Sequence, residues 1–161
     1  MKTKPPGCAQ CPAFTQGKGF VPAEGPVDAT IALLGQGPGE TEAYSGRPFQ
    51  GPSGWTLDRW LVRAGLERHK LYVSNVVWCW LPGNRAPKRE EVDYCRVAHW
   101  GPGLAGLPQL KVLMPIGVPA GGTNRKASII IRSVSLRGWL TREHPFRLMD
   151  SRNPHCHQRS Q

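Results

Sequence analysis

The sequence has no long hydrophobic run, since no apolar stretch approaches the ~20 residues that a membrane-spanning helix needs. The first six residues, which include two lysines and two prolines, are not followed by an apolar segment, so no secretory signal is predicted. There is also no internal repeat and no low-complexity tract. We therefore expect a cytoplasmic protein, a monomer with no membrane partner.

Acidic residues are scarce. The 161 residues include 21 Lys and Arg but only 11 Asp and Glu, which gives a net charge of +10. The excess is concentrated in residues 111–161, which hold nine basic and two acidic residues. This balance points to a polyanionic partner. The six tryptophans could offer faces on which bases stack, although most of them are expected in the core.

Strands and helices are predicted to alternate along the chain. Apolar or β-branched runs at 30–34, 71–77 and 111–116 are predicted strands, and 129–134 is a candidate fourth. Two stretches with helical spacing separate the first three strands. This order predicts a three-layer α/β/α sandwich around a central, mainly parallel four-stranded sheet.

The first predicted helix is capped by Ser53 and stops at Gly65. Its apolar face would consist of Leu57, Trp60, Leu61 and Ala64. The second helix has Pro87 at its first position and breaks by Gly101-Pro102. Residues 35–49 are expected to be loop throughout.

Residues 1–28 show neither a helical nor a strand period, and residues 141–161 show none either. We expect one domain over 1–161, with an irregular N-terminal arm and a poorly structured tail. An arm of this length is poorly ordered unless something ties it down. The obvious tether is the pair of cysteines within it.

Five cysteines in a reducing compartment indicate metal binding or free thiols rather than disulfides. Cys8 and Cys11 form a close C-x2-C pair, which can chelate one ion, while Cys79 and Cys95 form a less regular second pair. Four thiolates suit zinc or an iron–sulfur cluster, and buried unliganded thiols are the alternative. Cys156, in the tail, is expected at the surface.

A glycine-rich loop follows the first strand. Gly35, Gly37 and Gly39 let a ligand approach the backbone, and Pro38 resists helix formation. Open α/β sheets bind ligands at the carboxyl ends of their strands. The loop is therefore a candidate site, with a plain tight turn as the alternative.

Three blocks, taken together, resemble the family 4 uracil-DNA glycosylases, the iron–sulfur type. These are Cys8-x2-Cys11, the loop from GQGPGE at 35–40 to GRPFQG at 46–51, and YVSNVVWC at 72–79 with PGNR at 82–85 and Cys95. The resemblance covers residues 8–100. It implies a DNA repair enzyme that flips uracil out of single- or double-stranded DNA and hydrolyses its N-glycosidic bond. It also implies a 4Fe-4S cluster held by Cys8, Cys11, Cys79 and Cys95.

The resemblance also implies roles for pocket residues. Asn75 would bind the N3–H and O4 of uracil through its amide, and Phe49 would stack on the pyrimidine. The Gly37 N–H would help to hold O2, and Glu42 would lie beside C5, where a thymine methyl would clash. Each residue also has a purely structural alternative. Asn75 would hydrogen-bond to backbone groups at the strand end, Phe49 would pack into the core under the loop, and Glu42 would be a solvated loop carboxylate.

Two positions depart from the family pattern. Gln36 replaces a carboxylate present in many members, and it can orient a water but cannot accept its proton. The histidine expected to donate to uracil is represented by His144, followed by Pro145 and then Phe146 in place of a serine. The chain is also several tens of residues shorter than we expect of a complete member of the family. A shifted reading frame or truncated end is our hypothesis for this ending.

Two other functions remain open from the sequence. Without a usable His144, the protein would be a catalytically weak binder of uracil-DNA or abasic DNA. A zinc-stabilised nucleotide binder that uses the glycine loop for phosphate is the third reading. It lacks a Walker lysine and a clear dinucleotide fingerprint.

Overall fold

The computed structural model describes residues 1–117 and 130–131. Within this part, the strands are β1 (Ile31–Gly35), β2 (Tyr72–Asn75), β3 (Val112–Pro115) and the two-residue β4 (Ile130–Ile131). The sheet order is β2-β1-β3-β4, with β1 parallel to both β2 and β3 and with β4 antiparallel to β3. The predicted, mainly parallel sheet is therefore confirmed.

Four α-helices accompany the strands in the described residues. They are α1 (Glu40–Ser45), α2 (Pro52–Arg63), α3 (Arg89–Cys95) and α4 (Gly101–Ala105). A π-helical turn at Arg96–Trp100 joins α3 to α4, and 3-10 turns occupy Pro6–Gln10, Arg68–Lys70 and Pro82–Asn84. None of these helices combines the length and the apolar character needed to cross a membrane.

Alternate residues of β1 face two separate apolar clusters. Ala32 and Leu34 belong to a cluster that includes Trp100 and Leu104 from the helical segment before β3. Leu33 faces the opposite side, where it packs with Leu61 of α2. A strand covered on both faces is typical of parallel sheets with helices on either side. The predicted α/β sandwich follows from this arrangement.

The helices differ from the prediction in several places. α1 lies within residues predicted as loop, and α2 begins at Pro52 after an N-cap at Gly51 rather than at a Ser53 cap. Of its predicted apolar face, only Leu61 is buried, and Trp60 is 61% exposed. The helical spacing therefore predicted too wide a buried face, since the Trp60 ring lies at the surface beside the Arg63 guanidinium.

The second helical segment is longer than predicted. α3 begins at Arg89 after an N-cap at Lys88, so Pro87 precedes the helix. The chain does not break at Gly101-Pro102 but continues into α4. Pro102 directly follows the π-helical turn, where the Gly101 N–H donates to Arg96 O and the regular i→i−4 hydrogen bonding is interrupted, so a proline is tolerated there. The π-helical turn absorbs the change in register between the two helices.

The N-terminal arm is irregular, as predicted, but backbone hydrogen bonds tie it to the region of β2. Lys18 and Trp80 exchange a pair of N–H···O bonds of 2.8 and 2.9 Å, and Glu24 and Val73 exchange another of 3.0 and 2.7 Å. Val21 is almost fully buried between these bridges. The prediction that the cysteines are the tether is therefore incomplete, because these non-local pairings leave no pattern in the arm's own sequence.

A substitution at Gly25 tests whether the backbone hydrogen bonds hold the arm against β2. Its φ is +130°, and a Cβ there would fall 2.7 Å from Tyr72 Cα and still closer to Leu71 O. We expect Gly25→Ala to lower the free energy of unfolding by about 2 kcal/mol, through strain and displacement of the arm from β2. Urea denaturation measures this change. Gly7→Ala is the matched control, since nothing lies within 4 Å of a Cβ at that position. Equal midpoints for the two variants would contradict the tether.

Candidate functional site

A pocket of about 500 Å³ opens at the carboxyl ends of β1 and β2. Its walls come from the loop after β1, from the starts of α1 and α2, and from the connection after β2. The five predicted catalytic or substrate-binding residues that the structure describes all line it: Gln36, Gly37, Glu42, Phe49 and Asn75. The sixth, His144, lies outside the described residues.

Asn75 ends β2 and lies directly opposite Gly35 in the parallel register. Its side chain is close to the base of the pocket, and the residue is only 2% exposed. A Cβ on Gly35 would fall 2.5 Å from Phe49 Cζ and closer still to Asn75 Oδ1. Glycine is therefore required at residue 35, because the amide and the aromatic ring meet in the space that a side chain would fill.

Phe49 is held in an uncommon backbone conformation. Its φ of 53° lies in the left-handed region, which few non-glycine residues adopt outside turns and functional sites. The ring is half-buried against the Leu33 cluster, so it both covers the core and borders the pocket. Arg68 donates a 2.7 Å hydrogen bond to O of Pro48, the preceding residue, and a 2.8 Å one to Asp58. Arg68 thus holds the backbone that leads into Phe49.

Glu42 is a buried clamp between two loops rather than the solvated carboxylate considered above. It is 7% exposed, and its carboxylate accepts hydrogen bonds from three backbone N–H groups. Oε2 accepts from Gly39 at 2.9 Å, while Oε1 accepts from Gln50 at 2.8 Å and from Gly51 at 2.7 Å. One side chain therefore joins the loop after β1 to the start of α2 across the pocket.

A second, small cavity lies beside the arm. All four predicted metal ligands line it: Cys8, Cys11, Cys79 and Cys95. Burial raises the pKa of Cys79 to about 11 and that of Cys95 to about 12. Within 1–117 and 130–131, no group of three or more His, Cys, Asp or Glu is arranged to hold a metal ion. The case for a metal therefore depends on the shared cavity.

The family model of the uracil DNA glycosylase superfamily matches residues 22–155. The chain belongs to this superfamily. The matched range includes both loops that form the pocket and the segment that carries Asn75.

Curated relatives of this superfamily member are named Type-4 uracil-DNA glycosylases, which confirms the resemblance to family 4. The protein of Pyrobaculum aerophilum is 41% identical over 88 residues, covering 55% of this chain and 45% of the relative. That of Thermotoga maritima is 36% identical over 115 residues, covering 71% and 56%. That of Archaeoglobus fulgidus is 38% identical over 88 residues, covering 55% and 44%. The chain thus spans about half the length of these relatives.

Gln36 and Gly37 form the rim of the glycosylase-superfamily pocket. Both are half-buried in the loop between β1 and α1. A Cβ on Gly37 would fall 2.9 Å from Val77 Cγ2, so the loop runs close over the connection that follows β2. The Gln36 amide is in place to orient a polar group in the pocket, but it is not a base.

Arg85, which also lines the pocket, forms an ion pair that sequence reasoning missed. Arg85 donates two hydrogen bonds to Glu91, of 2.9 and 2.6 Å, and Glu91 is 2% exposed. The Lys88 N–H donates a third, of 2.7 Å. These contacts, above all the Arg85 guanidinium, hold the pKa of the Glu91 carboxyl below its usual value. An arginine followed six residues later by a glutamate in a helix's first turn was the available signal.

Two further residues of the cysteine cavity carry no motif in the sequence. Lys4 lines the cavity while its ammonium group donates to the carbonyl oxygens of Phe14 and Gly17. His99 lines it from the π-helical turn. Tertiary folding brings Lys4 to the cavity, whereas His99 lies four residues after Cys95 on the same helical segment.

The Glu42 clamp predicts a large loss of stability on truncation. Glu42→Ala leaves three backbone N–H groups without their acceptor, and hydrogen bonds to a charged group contribute about 1.5–3 kcal/mol each. Because the three share one residue and are not additive, we expect the free energy of unfolding to fall by about 3 kcal/mol. Chemical denaturation measures it.

Two further variants make the clamp test specific. Glu42→Gln keeps the oxygen that serves Gln50 and Gly51, so about half of the loss is expected. Glu40→Ala, at an exposed position of the same helix, should change stability by less than about 1 kcal/mol. A loss for Glu40→Ala as large as that for Glu42→Ala would show that the helix terminus, and not the clamp, is responsible.

Proposed function

We propose that this protein removes uracil from DNA by hydrolysing the N-glycosidic bond, leaving an abasic site. The observation that carries the proposal is the convergence of the Asn75 amide, the Phe49 ring and the glycine loop on one pocket. A base inside a duplex cannot be reached, so it must be extruded into such a pocket. The names of the relatives support the same activity.

The proposed recognition depends on the buried Asn75 amide. Uracil presents an N3–H donor beside its O4 acceptor, and one carboxamide can bind both through its C=O and NH2 groups. Cytosine presents the opposite pattern at these atoms and would leave both amide groups mismatched. Phe49 would stack on the pyrimidine, and the Gly37 N–H would hold O2. Glu42, whose carboxylate is held by three backbone N–H groups, would leave no room for the methyl group of thymine.

The proposed hydrolysis breaks the bond between C1′ and the base, while a water oxygen bonds to C1′ and the departing base takes up a proton. Negative charge develops on the leaving uracil, so donors aimed at O2 stabilise the transition state more than the ground state. Gln36 would orient the water without accepting its proton. His144, assigned through the family resemblance, would donate to the uracil.

A binding protein of the same fold is the second candidate. Two observations favour it: Gln36 stands where a carboxylate is common, and Phe146 stands where the family pattern has a serine. Such a protein would hold a flipped uracil with the same pocket but would turn over slowly. The activity test below separates the two candidates.

We also propose that Cys8, Cys11, Cys79 and Cys95 hold a 4Fe-4S cluster. Two features support it: the donor set is one that such clusters use, and the four thiols share one cavity. A cationic core would compensate the charge of buried thiolates. The cluster would have a structural role, since it would join the arm to the connection after β2 and to α3.

Asn75→Ala tests the recognition step. We expect the rate of uracil release to fall by at least about 10²-fold, because removing one polar contact from a site built around such contacts lowers the reaction rate strongly. A uracil-containing oligonucleotide followed by alkaline cleavage gives the readout. Gln109→Ala removes an exposed amide from the connection that enters β3, at the opposite end of the sheet, and should cut like the parent. Equal cutting by Asn75→Ala would show that the site is misassigned.

The same oligonucleotide distinguishes an enzyme from a binder. If the parent chain retains uracil-DNA over the matching thymine-DNA in a gel-shift assay but does not cut it, the binding function is correct. If it neither retains nor cuts uracil-DNA, both proposals fail.

Removal of single cysteines tests the cluster. We expect the purified protein to be brown and to contain iron and acid-labile sulfide, and alanine at any of the four positions to lower both and to reduce stability. Cys156→Ala, at the cysteine outside the proposed set, should retain the parent's iron. If the protein is instead colourless and contains zinc but no iron, the cluster proposal is wrong and the cysteines form a zinc site.

A further inference from the structure

The cysteine cavity has one more polar group in contact with a proposed ligand. His99 Nε2 lies 3.1 Å from Cys8 Sγ, within hydrogen-bonding distance for sulfur. No other role in the proposed function uses this ring. The contact joins residues 91 positions apart in the chain, so it arises from the fold and not from local sequence.

The His99 ring is held in one orientation by aromatic neighbours. It stacks on Trp78 with ring centroids 4.9 Å apart and an interplanar angle of 15°. Phe20 contacts it edge-on at 5.4 Å. Trp78 immediately precedes Cys79, so the stack also connects the ring to a second proposed ligand.

The helical segment explains how the ring reaches Cys8. His99 lies four residues after Cys95, within the π-helical turn Arg96–Trp100. Residues four apart lie on the same side of a helix, so the turn presents the ring toward the cavity that Cys95 lines. Widened turns of this kind are often found at functional sites.

We propose that His99 donates its Nε2–H to the Cys8 sulfur when that sulfur ligates the cluster, and thereby raises the cluster's reduction potential and slows its loss. This inference rests on the proposed cluster. A ligating thiolate carries no proton and can only accept, so the hydrogen in this contact must belong to Nε2. His99 is a positioning residue of the metal site and not a fifth ligand.

The physical effect follows from charge. Reduction adds negative charge to the cluster and its sulfurs, and an N–H donor stabilises that charge. Hydrogen bonds to the sulfurs are among the factors that set the potentials of such clusters. Partners that orient and support metal ligands also increase metal retention, typically by 10–100-fold in affinity.

Two substitutions separate donation from packing. His99→Phe keeps an aromatic ring against Trp78 but removes the donor. His99→Gln loses the aromatic stack but places an N–H donor at a similar reach. His69→Phe is the matched control, because that histidine is 74% exposed on the 3-10 turn before β2.

The experiment uses the purified full-length chain and begins with its iron and sulfide content. The midpoint potential is then measured by spectroscopic redox titration, and the rate of iron loss is measured with an excess of chelator. We expect His99→Phe to shift the potential downward and to lose iron on the order of 10-fold faster. His99→Gln should recover much of both effects, and His69→Phe should match the parent.

The outcomes distinguish this inference from the proposed function. A parent chain without iron and sulfide overturns the cluster and this inference with it. A parent with a full cluster and a His99→Phe variant of unchanged potential and iron-loss rate overturns only the hydrogen bond. If His99→Phe matches the parent while His99→Gln loses iron faster, packing on Trp78 is responsible and the donor role is wrong.

Discussion

The pairing of Gly35 with Asn75 is the constraint on which the pocket depends. Parallel register places the ends of β1 and β2 side by side, and the missing side chain at Gly35 lets the Asn75 amide and the Phe49 ring share one space. The sheet supplies the rigidity, because β1 is covered on both faces by apolar clusters. The backbone that carries Asn75 is thus held rigidly, which the proposed discrimination between similar bases requires.

The rest of the pocket is built by contacts that hold loops rather than by regular elements. Glu42 connects the loop after β1 to the start of α2, while Arg68 supports Pro48 from behind. Arg85, at the pocket, and Glu91 neutralise each other in a bidentate pair. In the proposed function, these charged side chains hold the structure around the pocket, and recognition is assigned to neutral groups.

The sheet and the glycine loop were predictable because their signals are local, whereas the roles of Asn75, Phe49 and Glu42 came from the family resemblance. Apolar runs identify the strands, and parallel strands bring their carboxyl ends together, although β2 ends at Asn75 rather than at the predicted residue 77. The six-residue α1 has no apolar period and was missed. The exposure of Trp60, the bridges from Lys18 and Glu24, and the Glu42 clamp depend on partners distant in sequence, so periodicity could not reveal them.

The connection after β2 contributes residues to both the pocket and the cysteine cavity. Cys79 lines both the pocket and the cysteine cavity, and Arg85, six residues later, lines the pocket again. Its length is thus restricted at both ends, so an inserted or deleted residue between 79 and 85 would misplace either a sulfur or the pocket wall. Engineered extensions or tags are better placed in the exposed turn near Gln109, which neither cavity uses.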